Sequence, residues 1–507
     1  MRAAAPSARR PRRAVVLAAT LATALAAAGC ASLKQPPAAG PEAPPPAAWT
    51  AASPPAGADA RSALLPAWWQ QFGDPLLTDL VTRSLAAATD VGSARARLQQ
   101  ARAARDGAAA GLRPNVGAGG SAQASRSEGA PLARQVRASF DASWEADLWG
   151  GGRAGVRAAE ADLQASAATL AQTKVSLAAE VAAAYVDLRS AQARLASAET
   201  NLASQEHTLR ITQWRAEAGL ATTLDVEQQR TTVAQTRAQL PALQASIEQS
   251  MNALAVLGGE APGALHARLA PAAAVPAADL SFALDIPAAV LARRADVVAA
   301  DARVRAAAER IDELDAQRLP SLQLSGSIGL SALTLSTLGS GAGFASLLAG
   351  VDLPVFDGGR LRARVRAQEA AWDEAVINRR AVVLAALQEV EDTLVALRGA
   401  RAQLEHQRAA VAAARNAARL ADQRYASGLT DIASVLLTQR TLLSAEDAVV
   451  AGTAALATQQ VRLFKALGGG WTPADDAELT ADLSSAPTPS LPPAAPTAVA
   501  TPSEARR

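Results

Sequence analysis

The sequence predicts a mainly helical, internally duplicated chain that carries four strands of a transmembrane β-barrel. Three observations predict it. The 507 residues repeat themselves about 207 residues apart. Each copy holds a proline-free stretch of more than 60 residues. Each copy also holds two short segments that alternate apolar and polar residues.

The repeat is visible in its punctuation. Asp147-Leu148-Trp149-Gly150-Gly151-Gly152-Arg153 returns as Asp352 to Arg360, with Asp357-Gly358-Gly359 at its end. Arg113-Pro114 returns as Leu319-Pro320, Gly219-Leu220 as Gly428-Leu429, and Leu257-Gly258-Gly259 as Leu467-Gly468-Gly469. A duplication this long, with its breaks in step, means one architecture built from two similar halves.

The N-terminus reads as an address. Arg2, Arg9, Arg10, Arg12 and Arg13 precede the apolar run 14–28, which is short for a transmembrane helix. Small residues then lead into Cys30, the sole cysteine of the chain. This resembles a bacterial lipobox, whose cysteine is acylated; a plain signal peptide with an incidental cysteine is the competing reading. Ala31 after it favours the outer membrane by resemblance to bacterial sorting rules. Without residues 1–29, Lys+Arg falls from 49 to 44 against 47 Asp+Glu, a net charge of −3. The basic pI therefore belongs largely to the leader, and nucleic-acid binding is not predicted. A lone cysteine excludes an intrachain disulfide framework. No later segment is apolar and long enough for a spanning helix, so any spanning part must be strands.

The long helices are predicted at 153–217 and 360–427, each about 95–100 Å at 1.5 Å per residue. Such helices must lie against others. Val376, Val383, Val390, Leu397, Leu404 and Val411 recur every seven residues. Val156, Leu163, Leu170 and Leu177 do the same, and after a four-residue step to Val181 the series resumes at Leu188, Leu195, Leu202 and Leu209. A sustained heptad gives a left-handed supercoil, and the step is a stutter. Shorter helices are predicted at 81–110, 220–256, 288–318 and 429–466, stacked end to end in pairs beside the long ones.

The strands are predicted at 116–124, 136–145, 321–331 and 345–353. Val136, Ala138, Phe140, Ala142 and Trp144 alternate with Arg137, Ser139, Asp141, Ser143 and Glu145. One apolar and one polar face over about ten residues marks a membrane-barrel strand, although soluble hairpins packed on helices share the pattern. Four strands cannot close a barrel, and open edges in lipid leave backbone groups unpaired. The chain must therefore oligomerise, with eight strands from two copies or twelve from three.

Taken together, these residues resemble the outer-membrane factor family of tripartite efflux systems, and within it the acylated NodT-type branch related to the TolC duct. The resemblance covers roughly residues 65–471. It rests on Ala67-Trp68-Trp69-Gln70-Gln71-Phe72-Gly73-Asp74-Pro75-Leu76, on Ile286-Pro287 through Arg293-Arg294-Ala295-Asp296-Val297, on Phe356-Asp357-Gly358-Gly359-Arg360, and on Leu463 to Trp471. Ala295 stands where the family usually has proline, which should loosen a helix start. The resemblance implies a homotrimer sharing a twelve-stranded β-barrel, continuous with a twelve-helix periplasmic α-barrel. It divides the chain into a lipoprotein signal peptide (1–29), a tether and the start of an equatorial belt (30–75), a first repeat (76–259, hairpin 112–147), a linker (260–287), a second repeat (288–471, hairpin 319–355) and a disordered tail (472–507). Outer loops are expected at 125–132 and 334–343.

The implied function is passive conduction of small molecules from periplasm to exterior. A periplasmic adaptor and an inner-membrane transporter of the resistance-nodulation-division type would be its partners, with outer-membrane lipid around the barrel and a lipid on Cys30. A type I protein-secretion duct and a structural envelope lipoprotein are the alternatives. Glycine at Gly219-Leu220 and Gly428-Leu429 allows the left-handed turn that reverses a helix. The family closes its pore just past such glycines. Asp225, followed by Val226, stands where the first-copy acid is expected; Ser434 and Leu437 replace acids in the second copy, where Asp431 and Arg440 supply charge.

No enzyme is predicted. His207, His266 and His406 share no ligand spacing, so no metal site is expected. Gly150-Gly151-Gly152 and Gly358-Gly359 superficially suggest phosphate loops, but read better as turns between strand and helix.

Overall fold

The computed structural model describes residues 46, 48–50, 66–126, 128, 132–278 and 287–471. The expected signal peptide, Cys30, most of the tether, part of the 125–132 loop, residues 279–286 of the linker and the tail lie outside the described residues.

The chain runs through a 3-10 turn (Trp68–Phe72), α1 (Pro75–Ala87), α2 (Thr89–Gly111), β1 (Asn115–Ser125), β2 (Ala133–Ala146), α3 (Gly151–Glu217) and α4 (Thr223–Leu257). A short α5 (His266–Leu269) follows in the linker, then α6 (Pro287–Arg293), α7 (Ala295–Ala316), β3 (Ser321–Ala332), β4 (Ala342–Asp352), α8 (Arg360–Ala426) and α9 (Ile432–Ala466). The two long helices have 67 residues each, so each spans about 100 Å. Pro241 sits inside α4 without ending it.

Two expected helices are interrupted. The first short helix begins at Pro75, capped by Asp74, and breaks at Ala88, whose ψ of 138° is extended. The 288–318 helix breaks at Arg294, φ −68° and ψ 126°. Neither break was signalled by proline or glycine. Both serve packing. The left-handed Gly259, at the end of α4, abuts Ala87 and Ala88, and Gly468, at the end of α9, abuts Arg293 and Arg294. The shorter helices are therefore stacked end to end in both copies, each break receiving the terminus of its partner.

At the sheet-proximal level α2, α3, α7 and α8 lie side by side; farther down, α4, α3, α9 and α8 do. The seam of α3 follows Leu163, Leu170, Leu177, Val181 and Leu188, all buried. Below that the seam departs from the expected leucines. Leu202 and Leu209 are half-buried, whereas Asn201, Gln205, Thr208 and Thr212 fill the seam at four- and three-residue steps. Gln229 of α4 donates to the Gln205 carbonyl at 2.9 Å, and Gln439 of α9 to Thr208 Oγ1 at 3.2 Å. Polar seam positions specify register at a cost in stability.

The main core lies at mid-height. Trp68 stacks on Phe464 at 5.2 Å between ring centroids, with Trp69 and Phe72 packed edge-on to Trp68. This joins the N-terminal segment to the end of α9. The linker is fixed to the same helix, because the Gln460 side chain exchanges two hydrogen bonds with the Ala278 backbone. Arg294 is buried and bonds Asp296, Glu389 and the Ala466 carbonyl. Those charges keep its guanidinium protonated against the opposing effect of burial. The start of α7, expected to be loose at Ala295, is held by this network instead.

Candidate conduction pathway

The four strands form one antiparallel sheet in the order β1-β2-β3-β4. Its register sorts residues by face. Val116, Ala142, Gly326 and Leu347 share one side, as do Ala118, Phe140, Ile328 and Ala345. The other side carries Gly117, Asp141, Ser327 and Ser346, and Gly119, Ser139, Gly329 and Phe344. An apolar face opposite a small and polar face suits a wall between lipid and water. Trp144, at the helix-proximal end of the apolar face, donates to the Leu112 carbonyl at 2.9 Å, as expected of an interfacial aromatic. Arg137 crosses the polar face, donating to Ser327 at 2.9 Å and lying 4.1 Å over the Phe344 ring; it straps the first hairpin to the second. Phe344 and Leu348 are the bulky apolar exceptions on that face. Among the described residues nothing pairs with the outer edges of β1 and β4. The 334–343 segment, expected as loop, contains a 3-10 turn (Leu335–Ser340), and β4 already begins at Ala342.

The glycine-rich turns are junctions between strand and long helix. Asp147 accepts from the backbone N–H groups of Gly152 and Arg153 at 3.1 Å each, and Asp357 from Gly359 and Leu361 at 2.8 Å each. Each carboxylate occupies amides a phosphate would need. Burial pushes the Asp147 carboxyl up, but those amides and the Arg153 side chain hold it below its usual range. Asp357, not Asp352, is thus the counterpart of Asp147 in the second copy.

At the far end the chain turns at Gly219, φ 72°, and Gly428, φ 71°. Asp225 completes a capping box: its carboxylate accepts from the Thr222 N–H and hydroxyl at 2.8 Å, and its N–H donates to Thr222 Oγ1. The Thr-x-x-Asp spacing is a helix-start signature that the sequence reading of Asp225 as a pore-closing acid passed over. Asp431 caps α9, accepting from the Ser434 N–H at 3.1 Å and the Ser434 hydroxyl at 2.7 Å. Those two bonds hold its carboxyl below the usual range. Val226 is buried, as are the neighbouring Ile432 and Val435. Leu220, Leu429 and Leu437 are exposed, and so is Arg440. The turn ends of the two copies meet through Arg215 and Tyr425, which sequence reasoning did not find. No helix among the described residues is long and apolar enough to cross a membrane. Among the described residues no group of three or more His, Cys, Asp or Glu could hold a metal ion.

The duplicated fold, the two-faced sheet and the long helices agree with known proteins. The model of the outer membrane efflux protein family matches residues 80–260 and 286–469. The chain is 33% identical over 416 residues to the pyoverdine export outer membrane protein OpmQ of Pseudomonas aeruginosa, covering 80% of this chain and 87% of that protein. It is 29% identical over 417 residues to nodulation protein T of Rhizobium leguminosarum bv. viciae, covering 82% and 86%. Its fold is similar to the outer-membrane channel OprN, with a TM-score of 0.76 and 33% identity over 83% of this chain and 99% of that one. The chain belongs to the outer membrane efflux protein family. It is an outer-membrane efflux component, with its helices extending into the periplasm.

Proposed function

We propose that three copies close a twelve-stranded barrel, each lending its β1 edge to the β4 edge of the next. The observation that carries this is a sheet with one apolar face and two unpaired edges, a combination lipid does not tolerate in a single copy. The four helices at each level then become twelve around one channel. The lumen takes the polar face, and water fills it.

In this reading the duct conducts passively and catalyses nothing. An inner-membrane transporter of the resistance-nodulation-division type supplies the energy, and a periplasmic adaptor seats on the turn end, where Leu220, Leu429 and Leu437 stand exposed. Gly219, Gly428 and the capping Asp225 and Asp431 shape that end, and Arg440 adds charge beside it. A lipid on Cys30 adds a second anchor. The sequence divisions at 1–29, 30–75, 260–287 and 472–507 remain part of this proposal. The cargo class is small molecules, in keeping with the pyoverdine that OpmQ exports by name.

Deleting the gene tests the function. Sensitivity to small toxic compounds should rise while protein secretion stays unchanged. Lost secretion with unchanged sensitivity points to a type I secretion duct instead.

A further inference from the structure

The duplication supplies a template for a surface that one copy leaves bare. The left-handed caps Gly150 and Gly359 open the two long helices 209 positions apart, and the turn glycines Gly219 and Gly428 keep that spacing. Ala88 and Arg294, which precede α2 and α7, stand 206 apart. Each residue of α8 thus has a counterpart in α3, and each residue of α2 has one in α7.

Within one copy α3 lies between two neighbours at each level, whereas α8 has a neighbour on one side only. The exposed apolar residues of α8 fall on its open side. Ile377, Leu384 and Val395 are each more than half exposed, yet their counterparts Ala168, Val175 and Val186 are buried in α3. Val175 packs there on Ala295, the first residue of α7. The outer surface of α2 is equally bare. Ala103, Ala104, Gly107 and Ala110 are exposed, while their counterparts Glu309, Arg310, Glu313 and Ala316 meet α3.

The two bare surfaces complement each other as α3 and α7 do, with large and small exchanged. In the α3–α7 joint the gap is on the long helix. A Cβ on Gly151 would lie 2.7 Å from Cβ of Ala316, and one on Gly155 would lie 3.3 Å from the Glu313 carboxyl carbon. Carried over to α8 and α2 of the next copy, these positions become Arg360 against Ala110 and Arg364 against Gly107. The bulk has moved to the long helix and the gap to the short one, so the joint can still close-pack. The Arg310–Asp162 ion pair becomes Ala104 and Ala371, which carry no charge. Another pair takes its place. Arg303 donates to Thr169 Oγ1 at 3.4 Å, and their counterparts are Arg97 and Asn378. Glu374 lies one turn from Asn378 on the same face. Arg97 and Glu374 are exposed and have no ionic partner among the described residues.

The strands obey the same rule. Ala146 of β2 faces Leu322 of β3, and Arg137 faces Ser331. Carried over, Val355 faces Val116 of the next copy, and Ser346 faces its Ser125. Apolar then meets apolar and polar meets polar at the closing edge, an order that a slip of one residue would reverse.

We propose that each copy seats α8 on α2 of the next in the register by which α3 sits on α7, with Glu374 paired to Arg97 across that joint. The inference rests on the ring of three copies put forward above, and adds to it a register and an ion pair that one copy cannot make alone.

Two readouts on the full-length protein in mild detergent test it. Arg360→Cys/Ala110→Cys should form a disulfide between copies under oxidation, seen on a non-reducing gel as a ladder of up to three chains, because the template brings those Cβ atoms within disulfide reach. Arg364→Cys/Ala110→Cys, one turn out of step, should cross-link about tenfold less, and neither single-cysteine change should exceed the background set by Cys30. Arg97→Glu and Glu374→Arg should each lower severalfold the fraction that stays associated on warming, and the two together should restore it. A ladder as strong for the out-of-step pair overturns the register. Single charge variants that associate like the wild type, or a double variant no better than the singles, overturn the ion pair. A wild type with the mass of one copy overturns the ring itself.

Discussion

The Arg215 guanidinium lies 4.4 Å over the Tyr425 ring and donates to the Tyr425 carbonyl oxygen at 2.9 Å. This couples the turn ends of the two long helices, since Arg215 closes α3 and Tyr425 closes α8. A stacked cation and a charged hydrogen bond together contribute about 2–3 kcal/mol when partly desolvated. Arg215→Ala should therefore lower the unfolding temperature and raise single-channel conductance severalfold in planar bilayers. Conductance equal to wild type would show that this contact does not restrain the pore.

The capping carboxylates behind the turn glycines make a separate prediction. Asp225→Ala and Asp431→Ala each remove a helix cap, so both should fray the turn end and increase conductance. The Asp431 carboxyl is held low by the Ser434 hydroxyl and N–H. A lowered carboxyl contributes its stability above its ordinary value of 3.8 and loses it as pH falls through the lower folded value. The Asp431 cap should accordingly persist through neutral and mildly acidic pH, and conductance should change only in strong acid. If both variants conduct like the wild type, these carboxylates are caps and nothing more.

At mid-height the Tyr185 hydroxyl donates to Asp74 at 2.7 Å and accepts from Arg189 at 2.9 Å. Burial, with the Asp74 carboxylate adding to it, pushes the phenol up to about 12. An unfolded tyrosine titrates near pH ~10. The contribution of Tyr185 to stability is thus complete below about pH 10 and is lost as pH rises towards the folded value. Tyr185→Phe should cost about 1–3 kcal/mol near neutral pH, because the half-buried Asp74 and the buried Arg189 each lose a bond. Thermal unfolding followed between pH 8 and 12 should show an alkaline slope in the wild type that the variant lacks.

The stacked helix ends can be tested by two matched substitutions. A Cβ on Gly259 would meet the Ala87 carbonyl oxygen at 2.6 Å, at a φ of +74°. At Gly468, also at +74°, the nearest atom is Cγ of Arg294 at 3.4 Å. Both alanine variants incur the left-handed cost of about 1–2 kcal/mol, but only Gly259→Ala also forces backbone apart. Gly259→Ala should be clearly less stable in thermal unfolding; equal losses would mean that the α1–α4 junction is not tight.

What the sequence revealed followed the strength of its local signals. The long helices were placed within two residues of Gly151–Glu217 and Arg360–Ala426, because 60 residues without proline and a heptad of Val and Leu leave little choice. The strands were found by alternation alone. Ala88 was invisible as a break, and Arg294 was marked only by the helix start that the family resemblance put at Ala295, since each is set by the terminus of a helix more than 150 residues away in the chain. The lower seam was misassigned to Leu202 and Leu209 because apolar periodicity cannot register a buried face made of Asn201, Gln205, Thr208 and Thr212. Contacts such as Arg137 with Phe344 and Arg215 with Tyr425 join residues about 200 apart, and no local pattern announces them. Thr222 and Asp225 carry a capping signature that reading Asp225 as a pore-closing acid passed over.

The central claim is that one copy holds a third of a closed barrel. Native mass measurement of the full-length protein, extracted in mild detergent and stripped of micelle, tests it most directly. The chain of 51.7 kDa should fly as a species of three copies, shifted only by processing of the N-terminus and bound lipid. A stable single-copy species, with β1 and β4 edges left open, would contradict it.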